Sequence, residues 1–189
     1  TAAGTKTGLE LATVEISNKN GPVLEGSGHL PLTIHPADGP VPLHWDRNEP
    51  MKLRLDTRSN KSFWTALSTL AGVTLAEPTL KLEVAGSLAQ PMASLSVQTA
   101  SLGASAERLG AVIPPLTDLK TRVELDPKRL ALTAFSFRFQ GQQVSATAEV
   151  PIHLEAKTTP EIVVLEEVRA RLTIDSASLA EIARAFPEH

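Results

Sequence analysis

Apolar and polar residues alternate one for one along most of this chain, and that spacing constrains its fold more than any other feature. A period of two belongs to the β-strand, whose successive side chains point to opposite faces. Leu24, Leu30, Leu32 and Ile34 share one parity. Leu80, Leu82 and Val84 alternate with Lys81, Glu83 and Ala85, and Leu95 and Val97 follow Pro91. Leu119, Val123 and Leu125 stand against Lys120, Arg122 and Glu124. Phe135, Phe137 and Phe139 form the bulkiest stripe, and Val144, Ala146, Ala148, Val150, Ile152 and Leu154 the longest. Val164, Val168, Leu172 and Ile174 close the series opposite Glu167, Arg169 and Arg171.

Several of these runs are long enough for strands of more than ten residues, at a rise of roughly 3.3 Å each. Turn residues separate them at Asn18–Pro22, Asp38–Pro40, Asp126–Lys128, Gln140–Gln142 and Thr158–Pro160, as in a meander of antiparallel hairpins. Long strands with one apolar and one polar face predict an all-β, mainly antiparallel fold: an elongated, curled sheet shaped as a trough, not a compact sandwich.

Two segments change period. Phe63, Leu67 and Leu70 follow helical spacing within Ser62–Gly72, with Gly72 placed to end the helix. Leu179, Ile182, Ala183 and Phe186 do the same, started by Ser178 with Glu181 and stopped by Pro187. Each predicts a short amphipathic helix lying on an apolar surface or plugging an end of the sheet. A strand ending at Asp precedes both: Lys52–Asp56 and Arg171–Asp175. This parallel predicts one section of a repeat-built body, with unit boundaries near 56 and 175. The chain opens Thr1-Ala2-Ala3-Gly4 and ends Pro187-Glu188-His189, which reads as an internal piece of a larger exported protein.

Composition narrows the function classes. There is no cysteine, which excludes disulfides, thiolate metal sites and a cysteine nucleophile. The net charge is −3 and the basic residues are scattered, so no footprint for nucleic acid is present. Tyr is absent and aromatics make up 4%, which disfavours carbohydrate or single-strand stacking platforms.

The chemistry-bearing residues form no catalytic pattern. The five histidines, His29, His35, His44, His153 and His189, lack metal-ligand spacing. His44-Trp45-Asp46 carries a hint of acid–base character but lies in a Pro-rich stretch without a nucleophile signature. Glu166 and Glu167 are adjacent, and neighbours on a strand face opposite ways, so they cannot flank one bond. No phosphate loop, nucleophile elbow or His-Glu-x-x-His motif occurs. The residues predict no enzyme and no cofactor.

The phrase Leu82-Glu83-Val84-Ala85-Gly86-Ser87-Leu88-Ala89-Gln90-Pro91-Met92-Ala93-Ser94-Leu95 resembles a recurring element of the AsmA/TamB-like superfamily of bacterial envelope proteins. The hairpin Leu119–Asp126 with Leu130–Gly141, the Val23–Gly28 segment, and Ile174-Asp175 leading into Leu179–Ile182 are similar to other elements of that family. The likeness spans roughly residues 7–186, and Pro36–Pro50 matches none of it. The resemblance implies the periplasmic portion of an inner-membrane-anchored protein, whose sheet curls into a trough with an apolar concave face. It implies phospholipid passage between the inner and outer membranes, or help in outer-membrane protein assembly. Implied partners are acyl chains, neighbouring sections of the same chain and an outer-membrane barrel protein.

A lipid groove needs a continuous apolar surface, a satisfied backbone and a polar exterior, and alternating strands supply all three. The expected liners are Val97, Val123, Leu125, Phe135, Phe137, Phe139, Val144, Val150 and Ile152. Two other readings compete: a structural or adhesive β-solenoid with its apolar stripes packed shut, and an enzyme on a β-helix, which would require a carboxylate cluster on one face.

Overall fold

The fold is described from a computed structural model over residues 2–4, 8–19, 21–34, 43–58, 61–104, 114–155, 161–164 and 168–175. Twelve strands form one open, curled antiparallel sheet. In spatial order they are β1 (Ala2–Gly4), β2 (Leu9–Asn18), β3 (Gly21–Leu30), β6 (Lys52–Thr57), β8 (Thr79–Gly86), β9 (Pro91–Ala104), β10 (Leu116–Asp126), β11 (Arg129–Phe139), β12 (Gln142–Glu155) and β13 (Glu161–Val164). Strand β7 (Val73–Ala76) pairs with β9, and β14 (Arg169–Asp175) pairs with β12. Apart from β7, which skips β8, and β14, which returns to β12, spatial order in this sheet follows chain order, and the all-β antiparallel fold expected from the alternation is what forms. The strands are long as expected, with β9 and β12 reaching 14 residues each.

Local chemistry sets the hairpins. Gln140 and Gly141 adopt φ of 49° and 83°, and two consecutive left-handed residues make the tight turn whose twist matches paired strands. At the preceding turn, Asp126 Oδ1 accepts the backbone N–H groups of Lys128 at 2.9 Å and Arg129 at 3.0 Å. Its Oδ2 meets the Arg129 guanidinium at 2.8 Å. Burial is the largest single influence on Asp126 and pushes its pKa up. The hydrogen bonds and the Arg129 charge together outweigh it, leaving the carboxyl below its ordinary value.

Glycine permits the close approach of β6 to β3. A Cβ on Gly26 would sit 1.7 Å from the Arg54 carbonyl oxygen, and one on Gly28 would sit 2.4 Å from that of Lys52. No side chain fits there, so the β6 backbone comes nearer than any residue but glycine allows.

Two expected strands are divided. Leu24–Ile34 is not one strand: β3 stops at Leu30, Pro31 is fully buried, and β4 (Leu32–Ile34) leaves to pair with β5 (Leu43–Trp45) in a separate ribbon. Proline has no N–H to give a ladder, so the sheet breaks there. Val164 and Ile174 likewise sit on two strands, β13 and β14, which share one edge of β12 at different heights.

Helix α1 (Lys61–Ala71) forms as expected and ends at Gly72, with φ of 69°. Its packing differs from the expectation: Leu70 is 76% exposed and Trp64 is half-buried. The helix contacts β7, and Leu70 of its apolar stripe is left uncovered. The helix expected at 178–186 lies outside the described residues, as do Glu166 and Glu167.

Two tests follow from these turns and bends. Gly26→Val should lower the free energy of unfolding by about 2–3 kcal/mol, read from the urea midpoint. For Asp126, a depressed folded pKa means its stabilisation is full above the unfolded value near 3.8 and is lost as pH falls through the folded value. Asp126→Asn should therefore destabilise at pH 7 and lose less than the parent between pH 5 and about pH 2, as measured by thermal melts.

Candidate functional site

The pairing register decides which side chains share a surface. One cross-strand row runs Val14, Gly26, Leu55, Leu82, Leu95, Val123, Leu132, Ala148, Ala170. The next runs Leu11, Gly28, Leu53, Val84, Ala93, Leu125, Leu130, Val150. A third contains Leu80, Val97, Thr121, Phe135, Ala146 and Leu172, and a fourth joins Phe137, Val144 and Ile174. Directly opposed residues in an antiparallel pair lie on one face. One apolar face therefore runs from β2 to β14 with no charged residue in these rows. At roughly 4.8 Å per strand spacing it extends for about 38 Å.

The opposite face is its complement. Ser27, Arg54, Glu83, Ser94, Glu124, Ala131, Glu149 and Arg169 form one row, and Glu15, Glu25, Asp56, Lys81, Ser96 and Arg122 another. Signs alternate across neighbouring strands in places, and short ion pairs result. Arg54 meets Asp56 at 2.8 Å and Glu83 at 3.8 Å, Lys81 meets Asp56 at 3.8 Å, and Arg58 pairs with Glu25. Most of these groups are exposed, and such pairs contribute about 0–1 kcal/mol each. Their main effect is on register, because a one-residue slip would bring charges onto the apolar side.

Exposure differs between the two faces only in part. Lys52, Arg54, Lys81, Glu83, Arg122 and Glu149 are exposed and Leu53, Leu82, Leu95, Val123, Phe135 and Val150 half-buried, but Glu25, Asp56, Ser94, Ser96 and Glu124 on the charged face are half-buried as well. Among the described apolar residues only Val23, Leu55, Ala131, Phe139 and Ile152 are buried. At the two ends of the apolar face Ile16 is 47% and Leu172 65% exposed. The apolar face is therefore not sealed by a second layer, in contrast to a sandwich core.

All nine residues expected to line a groove fall on this face. Val97 comes from β9, Val123 and Leu125 from β10, the three phenylalanines from β11, and Val144, Val150 and Ile152 from β12. Phe135 and Phe137 meet edge to face with ring centroids 5.5 Å apart.

The sequence reading missed Leu130 and Leu132, whose parity differs from that of the phenylalanines. A bulge between Leu132 and Phe135 inserts an extra residue on β11 and restores the facing. A second bulge, between Leu11 and Val14, does the same on β2. The signal in the sequence was a shift of apolar parity within one strand, from even to odd at Thr133-Ala134 and from odd to even at Ala12-Thr13.

The groups with acid–base chemistry are spread over the polar face and the rim. His29 Nδ1 lies 3.0 Å from Glu10 Oε2, a cross-strand tie between β2 and β3 that the sequence reading did not anticipate. His44 and Trp45 sit on β5 and are exposed, while Asp46 accepts the Asn48 N–H at 3.0 Å. Among the described residues no three His, Asp or Glu side chains gather as a metal site. No helix among them is long and apolar enough to cross a membrane.

No protein-family model, no curated protein and no solved structure matches this chain.

Deleting both Thr133 and Ala134 should force Phe135, Phe137 and Phe139 toward the charged face, whereas deleting Thr133 alone leaves one residue between Leu132 and Phe135 and keeps both on the apolar face without a bulge. The expected outcome is a lower urea midpoint and increased binding of a hydrophobic dye for the double deletion but not for the single one. A double deletion that matches the parent in both would refute the parity argument.

Proposed function

We propose that this chain is a non-catalytic section of a hydrophobic groove that holds phospholipid acyl chains, in a periplasmic protein of the AsmA/TamB-like kind. The observation that carries this reading is the uninterrupted apolar face, one row of which contains no polar side chain across nine strands. Its side chains are half-covered, and so they remain available to a flexible apolar ligand.

Acyl chains suit such a surface because they need no directional contacts. Each methylene taken from water contributes about 0.8 kcal/mol. A chain of ~15 methylenes would gain on the order of 12 kcal/mol before ordering costs. The face is also long enough: half of a ~30 Å hydrocarbon core is the reach of one acyl chain, so the roughly 38 Å face accommodates more than one in series. Many equivalent shallow contacts favour sliding over fixed binding. In the parent protein the groove would continue through neighbouring sections between the inner and outer membranes, and would also serve outer-membrane protein assembly through a barrel partner.

The test is denaturing lipid extraction and mass spectrometry on protein purified from a bacterial envelope without detergent. The expected result is co-purified phospholipid, reduced at least about tenfold by Phe137→Asp, since a charge on the apolar face is expensive to desolvate. Ser136→Asp, one residue away on the opposite face, should leave lipid unchanged, and circular dichroism should show both variants folded. A parent protein that is folded, lipid-free and takes up no added fluorescent fatty acid would instead favour a structural solenoid.

A further inference from the structure

Trp45 lies within Pro36–Pro50, outside the family likeness, and is 45% exposed. It belongs to the ribbon of β4 and β5, which among the described strands pair only with each other. The ribbon is an outgrowth of the β3–β6 pair. His29 faces Lys52 near the end of that pair. Pro31 O then accepts the Asp46 N–H at 3.0 Å, and Leu32 faces Trp45. Between these points the outgoing arm spends only Leu30, and the returning arm spends residues 47–51. The turn between β8 and β9 holds that longer stretch: Ala89 N–H donates to Arg47 O at 2.9 Å, and Met51 N–H to Gly86 O at 2.6 Å. Pro31, fully buried, fixes the base. The flanking strands stop at this level, since β2 begins at Leu9 opposite Leu30 and β8 ends at Gly86. The ribbon therefore stands at the rim of the sheet.

Its facing follows from parity. Gly28 and Leu30 lie on the apolar face, opposite Leu11 and Leu9. Leu32 is two residues further along the same extended arm, so its side chain points the same way. Trp45 stands directly across from Leu32 and shares that side, while Thr33 and His44 take the other. The row formed by Leu32 and Trp45 thus prolongs the apolar face past the rim. An indole joins an apolar body to a polar N–H, the combination that settles where hydrocarbon meets water.

We propose that Leu32 and Trp45 form a rim contact for a single phospholipid held on the apolar face, with the indole against the part of the acyl chain nearest the headgroup. The proposal rests on the groove reading and adds an orientation to it: the methyl end lies inward over the apolar rows, and the headgroup stands in water beside the β4–β5 ribbon.

The chain has two tryptophans, so Trp64→Phe leaves Trp45 as the sole indole. This full-length variant is incubated with phosphatidylglycerol vesicles whose acyl chains carry bromine either next to the ester or near the methyl end. Gel filtration then removes the vesicles, and mass spectrometry counts the lipid that the protein retains. Retained lipid should shift Trp45 emission to the blue and quench it, more strongly with bromine next to the ester. Trp45→Ala should lower retention about tenfold, because the contact surface of the indole is lost, and Trp45→Phe should lose less. Retained lipid with unchanged Trp45 emission would overturn the rim contact and leave the groove reading standing. Equal or stronger quenching from the methyl end would overturn the orientation. Leu53→Asp interrupts the apolar face on β6 next to the ribbon, and Trp45 quenching that persists in it would mean that the ribbon meets lipid independently of the groove, against the proposal. A folded parent that retains no lipid would overturn both readings. The quenching is read on a variant unchanged on the apolar face, so it decides the question even if Leu53→Asp fails to fold.

Discussion

Each apolar side chain on this sheet owes its position to the backbone ladder, because antiparallel hydrogen bonding fixes which residue stands opposite which. Across nine strands that ladder matches aliphatic to aliphatic and charged or small polar to polar. The result is a sheet with two chemically distinct sides and only a handful of buried apolar residues among those described. Stability is therefore spread along cross-strand pairs, each worth a fraction of a kcal/mol to about 1 kcal/mol, and does not rest on a central core. Such a body can be lengthened strand by strand without redesigning its interior, as repeat-built proteins are.

The departures from regularity all serve the two-sidedness. The bulge on β11 restores parity at Leu132 and Phe135, and the one on β2 does so at Leu11 and Val14. Gly26 and Gly28 let β6 approach β3 more closely than any side chain would allow. Pro31 releases the chain into the β4–β5 ribbon before it returns as β6. The Asp126 carboxylate and the Gln140-Gly141 pair close the hairpins on either side of the phenylalanine strand.

Curvature and openness together shape the functional reading. An apolar face that is half-covered differs from a packed core, where side chains interlock at crystal-like density and leave no room for a ligand. It also differs from a flat exposed patch, which soluble proteins keep small. The charged rows on the other side make slipped registers costly, so the apolar face stays continuous.

Much of this was legible in the sequence. A period of two fixes strand character whatever the surroundings, so the all-β class, the long strands, the phenylalanine stripe and the Val144–Ile152 stripe could be read directly. The positive-φ cap at Gly72 and the Asp126–Pro127 turn were equally local. What alternation could not supply was the relative facing of stripes on different strands, or of two halves of one strand, because an extra residue inverts parity without changing composition. Leu130 and Leu132 became part of the apolar face only through the bulge that follows them. The exit of Leu32–Ile34 from the sheet and the sharing of one β12 edge by β13 and β14 likewise depend on which backbone groups find partners far away in the chain. The sequence by itself thus determined that there are two faces, because side-chain direction is a property of each strand. Only the tertiary structure decided that the apolar ones form a single surface, because register is a property of pairs.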